Sequence, residues 1–331
     1  MKIAFYEIND WEKERIQKEL AGHELFFFSE TLNNENMQTD ADIVSVFIYS
    51  DFTKEILKKF ASLKMIVTRS AGFDHIDLNE CNKRGITVTR VPSYGDNTVA
   101  EHTFALILSI SRNIHRSYVR SQKNDFSIEG LKGFDLKGKT LGVIGAGKIG
   151  LHIIKMAKGF GMEVIAFDVD QDSFLEEVLG FKYVPFDDLL SRSDILSLNV
   201  PHNEHTHRLI NSDNIEKIKK GAVLINTSRG AVVETDALLK ALDRGILSGA
   251  GLDVIEGEEL IKEEKQVLHD KNKPDELETL TKDHKLLKKE NVVYTPHIAF
   301  YSQEALERII STSIENIKTF LNGEEKNVVR K

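Results

Sequence analysis

Short runs of β-branched and aromatic residues recur along the chain, separated by longer stretches in which apolar positions return at helical spacing. Residues 3–6, 25–28, 43–48, 65–68 and 86–89 form a first series of such runs, and 141–145, 164–168, 195–200, 223–226, 250–253 and 292–294 form a second. Strands alternating with helices in this way predict parallel βαβ units, and two series predict two α/β halves. Between them, residues 97–120 carry Val99, Phe104, Leu106, Ile107, Leu108, Ile110 and Ile114, a spacing that predicts one long, largely buried helix serving as a domain connector or a subunit contact. A last helix is expected over 303–321, with Leu306, Ile309, Ile310, Ile314, Ile317 and Phe320 on one side. Because it follows the final strand of the second series, it is placed to return to the first domain and make that domain discontinuous. The segment 259–290 is strongly charged and weakly periodic, as in a solvated helical excursion.

Composition narrows the class. The 331 residues are 41% hydrophobic and 29% charged, close to soluble globular proteins, and the length fits two ordinary domains. A formal charge of −8 argues against a nucleic-acid surface, which needs clustered cations. The first residues run into Glu7, Asp10 and Glu12, leaving no apolar stretch long enough for a signal peptide or membrane span, so a cytoplasmic protein without a membrane partner is expected. The single cysteine, Cys81, excludes an internal disulfide and reads as a packed small residue.

The chemistry lies after the strands. Pro92, Pro201 and Pro296 each end a strand-like run, and in open parallel sheets ligands bind beyond the carboxyl ends of the strands. The run 141–144 leads into Gly145, Gly147 and Gly150 and then a helix, the order of a dinucleotide-binding turn. Gly145 permits the tight turn, Gly147 admits the pyrophosphate, and Gly150 allows close helix packing, with helix N–H groups at Lys148 and Ile149 facing the anion. Residues 142–148 also resemble a triphosphate-binding loop, but Ile149 stands where Mg²⁺ needs a hydroxyl. Asp168 ends the next strand, where a carboxylate binds ribose hydroxyls and repels a 2′-phosphate, and no arginine follows it, so NAD is expected over NADP. Reduction of a 2-oxo acid needs a cation for the carboxylate, a proton donor, and a partner for that donor. Arg229, His297 and the acids after Asp253 supply those types, each following a strand.

The ordered motifs RSAGFDHID (69–77), VAEH (99–102), DLKGK (135–139), Val200-Pro201 with Thr206, NTSRG (226–230), GLDV (251–254) and TPHIAFY (295–301) resemble the D-2-hydroxyacid dehydrogenase family, nearest its D-lactate dehydrogenase branch. The resemblance implies two Rossmann-like or flavodoxin-like parallel-sheet domains with a cleft between them. Residues 1–98 with 299–331 would form the substrate domain and 99–298 the NAD-binding domain, through which a homodimer is expected. It implies Arg229 as the group that binds and polarises substrate, His297 as proton donor, and Glu258 as its acid partner, better spaced than Glu256 or Glu259. It further implies cofactor contacts at Val200, Pro201, Thr206, Thr227, Ser228 and Asp253, and carboxylate binding by the amides of Ala71 and Gly72. Tyr94, Phe300 and Tyr301 are candidates for the pocket wall or for plain packing. His202, His205 and His207 lie close in sequence, yet no carboxylate or cysteine completes an obvious metal shell and hydride transfer needs none. The expected substrate is pyruvate or a similar 2-oxo acid. The alternatives are another family activity, on glycerate, phosphoglycerate, branched acids or phosphite, and an NAD-sensing corepressor without catalysis.

Overall fold

In chain order the first series of runs becomes β1 (Lys2–Phe5), α1 (Asp10–Glu19), β2 (Glu24–Phe27), β3 (Ile43–Val46), α2 (Lys54–Leu57), β4 (Met65–Thr68), α3 (Leu78–Lys83) and β5 (Thr87–Thr89). There follow α4 (Asp96–Ser111), α5 (Ile114–Gln122), β6 (Thr140–Ile144), α6 (Lys148–Gly159), β7 (Glu163–Phe167), α7 (Ser173–Leu179), β8 (Lys182–Tyr183), α8 (Phe186–Arg192) and β9 (Ile195–Leu198). The chain closes with β10 (Ala222–Asn226), α9 (Thr235–Asp243), β11 (Leu247–Leu252), α10 (Pro274–Leu287), β12 (Val292–Tyr294) and α11 (Gln303–Leu321). This computed structural model describes residues 1–258 and 274–329, so the first part of the charged excursion predicted over 259–290, residues 259–273, lies outside the described residues. Contacts divide the chain into two units, Met1–Gly95 with Tyr301–Lys331, and Asp96–Phe300.

The first unit is a parallel sheet of order β2-β1-β3-β4-β5. Every residue of β3 and β4 is buried, because helices cover both faces, and this is why these strands read as largely apolar runs rather than as alternating ones. On one face Ile3, Phe5, Ile43, Met65 and Val67 pack with Ile16 of α1 and with Ile310, Ile314 and Ile317 of α11. Asn9 and Glu12 form a capping box that starts α1, and Ser302 caps α11 by accepting from the Ala305 amide. Cys81 is buried in α3, where burial pushes its thiol up to about 11, so it stays protonated and inert at neutral pH.

The second unit is a parallel sheet of order β12-β11-β10-β9-β6-β7-β8, with the strand order reversing between β6 and β9. Ligands of doubly wound sheets bind at such a reversal, and the glycine turn follows β6. The single long helix expected over 97–120 is two helices. Asn113 breaks it in the left-handed region at φ 51°, a conformation asparagine tolerates better than most residues. Only α4 is buried, through Ala100, Phe104, Leu106, Ile107 and Ile110, whereas α5 buries no residue. The two-residue edge strand β8 carries too little pattern to be anticipated.

Candidate active site

The glycine turn separates packing from access. A β-carbon at Gly145, where φ is 92°, would lie 2.6 Å from the Asn199 carbonyl oxygen, and one at Gly150 would lie 2.1 Å from the Gly145 carbonyl oxygen. Those glycines let the turn, strand and helix approach one another. At Gly147, the N-cap of α6, a β-carbon would meet nothing within 4 Å. That open space beside the first N–H groups of a helix, whose first turn carries no acid, fits a dinucleotide pyrophosphate. Lys148 is exposed at the start of α6, while Ile149 packs on the core and so offers a ligand its backbone amide. Asp168 stands just beyond β7, with Oδ2 accepting from the Ala146 amide at 2.7 Å and Oδ1 from the Asp170 amide at 3.0 Å. Across the strand reversal, Val200 lies beside Gly145, and the Thr206 hydroxyl donates to the Pro201 carbonyl at 2.5 Å, closing the loop between them.

Arg229 sits on a turn wound around one buried amide. Asn226, the last residue of β10, accepts from the Ser228 amide at 3.0 Å and its hydroxyl at 2.8 Å, and donates Nδ2–H to the Arg229 carbonyl at 2.9 Å. The Thr227 hydroxyl meets that of Thr103 on α4 at 2.9 Å, and Arg229 Nη1 donates to the Ser228 carbonyl at 2.8 Å. A β-carbon at Gly230 would lie 1.9 Å from the Ile255 carbonyl oxygen, so only glycine lets the loop after β11 lie against this turn.

That second loop carries Glu258, whose Oε1 is 2.7 Å from His297 Nδ1. An ionised carboxylate only accepts, so Nδ1 bears the hydrogen and Nε2 is left for proton exchange. The side chains of His297 and Glu258 are 22% and 17% exposed, shielded from bulk water yet reachable. His297 adopts φ 55°, a left-handed conformation uncommon for a residue with a β-carbon. Its amide donates to the Asp253 carbonyl at 2.8 Å, and the Phe300 ring stands edge-on with centroids 6.5 Å apart. Asp253, expected to meet the nicotinamide, is 1% exposed and turned toward the chain. Its Oδ1 accepts from the Thr295 hydroxyl and the Ile298 amide, and its Oδ2 from the Ala299 amide.

Residues 104–299 match the family described as D-isomer specific 2-hydroxyacid dehydrogenase, NAD binding domain. The chain belongs to this family. It is 36% identical to the D-lactate dehydrogenase of Escherichia coli (strain K12) over 331 residues, 98% of each chain. It is also 36% identical over 332 residues to a 2-hydroxyacid dehydrogenase homolog of Haemophilus influenzae, covering 98% of this chain and 97% of that one. The crystal structure of D-lactate dehydrogenase from Aquifex aeolicus complexed with NAD and lactic acid superposes with TM-score 0.87 at 40% identity, over 97% of this chain and 96% of that one. The protein is an NAD-dependent oxidoreductase acting on the CH–OH group of D-2-hydroxy acids.

In this dehydrogenase the first unit carries the remaining predicted residues. Ala71 and Gly72 follow β4 in a turn pinned by the Ser70 hydroxyl, which donates to the Gly72 carbonyl at 2.6 Å. Beneath them the fully buried Arg69 donates to the Tyr6 and Glu7 carbonyls, each at 2.7 Å, anchoring the base of the turn. Tyr94 is half-buried and its carbonyl accepts from Arg308, while Tyr301 is mostly exposed. In the second unit His202 Nε2 and His207 Nδ1 are 3.2 Å apart, and His205 turns to Glu204. Among the described residues no group of three or more His, Cys, Asp or Glu is placed to hold a metal. Asn226, Thr295, His102 and Thr103 organise the site without having been assigned a role from sequence. A polar residue ending an apolar run, as Asn226 does, is the signal that would have found the first of them.

Proposed function

We propose that this dehydrogenase reduces pyruvate, or a 2-oxo acid of similar size, to the D-2-hydroxy acid, with the first unit as substrate domain. The observation that carries the reading is the His297–Glu258 pair at 2.7 Å, on the loops that follow β12 and β11 of the sheet that holds the glycine turn. NADH, when bound, supplies the hydride. The Arg229 fork binds the substrate carboxylate and polarises the 2-oxo group. The amides of Ala71 and Gly72 add donors to the carboxylate, and Tyr94 and Phe300 form pocket wall. His297 Nε2–H gives its proton to the carbonyl oxygen as that oxygen becomes hydroxyl, and recovers one in the oxidative direction. Glu258 keeps the ring oriented by accepting from Nδ1–H and offsets the positive charge of the imidazolium. In the reading Gly145, Gly147, Lys148, Ile149, Gly150, Val200, Pro201, Thr206, Thr227, Ser228 and Asp253 line the cofactor site, and Asp168 selects NAD.

Incubating the purified protein and NADH with pyruvate, phenylpyruvate, 2-ketoisocaproate, hydroxypyruvate and glyoxylate tests substrate choice by loss of absorbance and chirality of product. Pyruvate is expected to give the highest kcat/KM, and the product to be the D-isomer. No NADH oxidation with any member of the panel would sink the reading.

Cofactor choice has its own test. Asp168→Asn keeps an acceptor for the Ala146 amide and removes the charge that repels a 2′-phosphate. The ratio of kcat/KM for NADPH over NADH should rise about 10-fold, equivalent to about 1.4 kcal/mol. An unchanged ratio would place selection elsewhere.

The reading includes a homodimer formed through the second unit. Ile114, Tyr118 and Val119 on α5, with Phe126 and Ile128 after it, are all more than half exposed, an apolar surface of the kind that subunits cover. It also places the protein in the cytoplasm, where NADH is regenerated. No helix among the described residues is long and apolar enough to cross a membrane.

A further inference from the structure

We propose that His102 is a positioning residue for this reaction, acting through Thr295 and Asp253 to hold the turn that presents His297. The inference rests on the reading of His297 as proton donor.

The argument begins with a count of hydrogens. Thr295 Oγ1 lies 2.5 Å from Asp253 Oδ1 and 2.9 Å from His102 Nε2. A hydroxyl has one hydrogen, and a carboxylate can only accept, so the Thr295 hydrogen goes to Asp253. His102 must therefore be the donor to Thr295, which fixes its proton on Nε2. The same nitrogen stands 3.5 Å from Asp253 Oδ1. Burial holds the His102 imidazole below its usual range, against the opposing pull of Asp253, which favours the neutral ring in that single tautomer near neutral pH.

Asp253 passes the constraint on. Its carboxylate accepts from the Ile298 amide at 2.9 Å and the Ala299 amide at 2.8 Å, and its own carbonyl accepts from the His297 amide. These amides belong to His297 and the two residues after it. A left-handed residue with a β-carbon is disfavoured by about 1–2 kcal/mol, so the conformation of His297 depends on such clamps. His102 touches none of the reacting atoms. It sits on α4, 193 positions from Thr295 in sequence, and ties that helix to the His297 turn. The neighbouring residue on α4, Thr103, does the same for the turn of Arg229 through Thr227. One helix thus ties down both turns, with His102 serving the proton donor.

The test uses the intact enzyme and three variants. His102→Phe removes the donor and keeps a ring, His102→Gln restores an N–H at similar reach, and Thr295→Val removes the relay without changing volume. A misplacement of the donor by a fraction of an ångström to 1 Å costs about 10-fold to 10²-fold. Both His102→Phe and Thr295→Val should therefore lower kcat with pyruvate by about 10-fold or more, with NADH affinity measured by fluorescence within about 2-fold of wild type. Amide hydrogen exchange at Ile298 and Ala299 should accelerate by at least about 10-fold in both, as their shared acceptor loosens. His102→Gln should recover most of kcat and of the protection. A folded His102→Phe enzyme with kcat within about 2-fold of wild type overturns the proposal. So does a loss of kcat that His102→Gln does not repair while exchange at Ile298 and Ala299 is unchanged. If His102→Phe does not fold, Thr295→Val decides by the same two readouts. Failure of the wild type to turn over any 2-oxo acid would instead count against the functional reading, and the exchange measurement would still test the clamp.

Discussion

Replacing His297 with alanine or asparagine should lower kcat for 2-oxo acid reduction by about 10²-fold or more, the scale of a positioned general acid, with little change in NADH affinity. Its ring is the group whose Nε2 is free to exchange a proton once Glu258 has taken Nδ1 at 2.7 Å. The pair of variants separates chemistry from strain. His297 sits at φ 55°, where alanine is disfavoured, whereas asparagine populates that region readily. If backbone strain were the cause of the loss, asparagine would restore activity; if proton transfer is the cause, both variants fail alike. Neither replacement touches the glycine turn, so the affinity for NADH measured by fluorescence should stay within about 2-fold. Glu258→Gln is the milder companion, because an amide oxygen can still accept from Nδ1–H but carries no charge to offset the imidazolium. Values of kcat within about 3-fold of wild type in both His297 variants would move the donor to another side chain.

The parts of this fold that could be read in the sequence are those set by local pattern. Strands β3, β4, β9 and β10 are buried on both faces, and a strand buried on both faces is predominantly apolar, so each appears as a run broken at most by one small or terminal polar residue. The glycine turn was legible because its backbone path requires glycine at fixed offsets. The break between α4 and α5 was not, since Ile114, Tyr118 and Val119 continue the apolar pattern while pointing away from the core. Pattern reports how apolar a face is, not what covers it. The site shows the same division. Arg229, Glu258 and His297 follow strands in motifs whose chemistry is plain from residue type. Asp253 is given a cofactor contact by the resemblance alone, while the groups that hold its carboxylate, Thr295, Ile298 and Ala299, lie more than forty positions away. The imidazole–hydroxyl and hydroxyl–hydroxyl pairs that link α4 to both catalytic turns span still longer separations, and no local spacing encodes them.

Arg229→Lys keeps the positive charge and should nevertheless reduce kcat/KM for pyruvate by about 10²-fold, because it replaces a planar fork by a single ammonium. The turn that carries Arg229 is fixed from both sides, by the Asn226 amide that donates to its carbonyl and by Gly230, which has no room for a β-carbon against Ile255. A lysine there starts from the same backbone and cannot move the turn to compensate. The guanidinium also donates Nη1–H to the Ser228 carbonyl, which orients its plane, and an ammonium has no plane to orient. Hydrogen bonds to charged groups contribute about 1.5–3 kcal/mol each, so losing one arm of a bidentate contact accounts for about 10-fold to 10²-fold. The polarised 2-oxo group gains negative charge as it is reduced, so part of the loss should appear in kcat as well as in KM. A rise in KM alone would assign Arg229 to holding the carboxylate and leave polarisation to His297. A kcat/KM within about 3-fold of wild type would show that a point charge suffices, and would shift carboxylate recognition to the amides of Ala71 and Gly72.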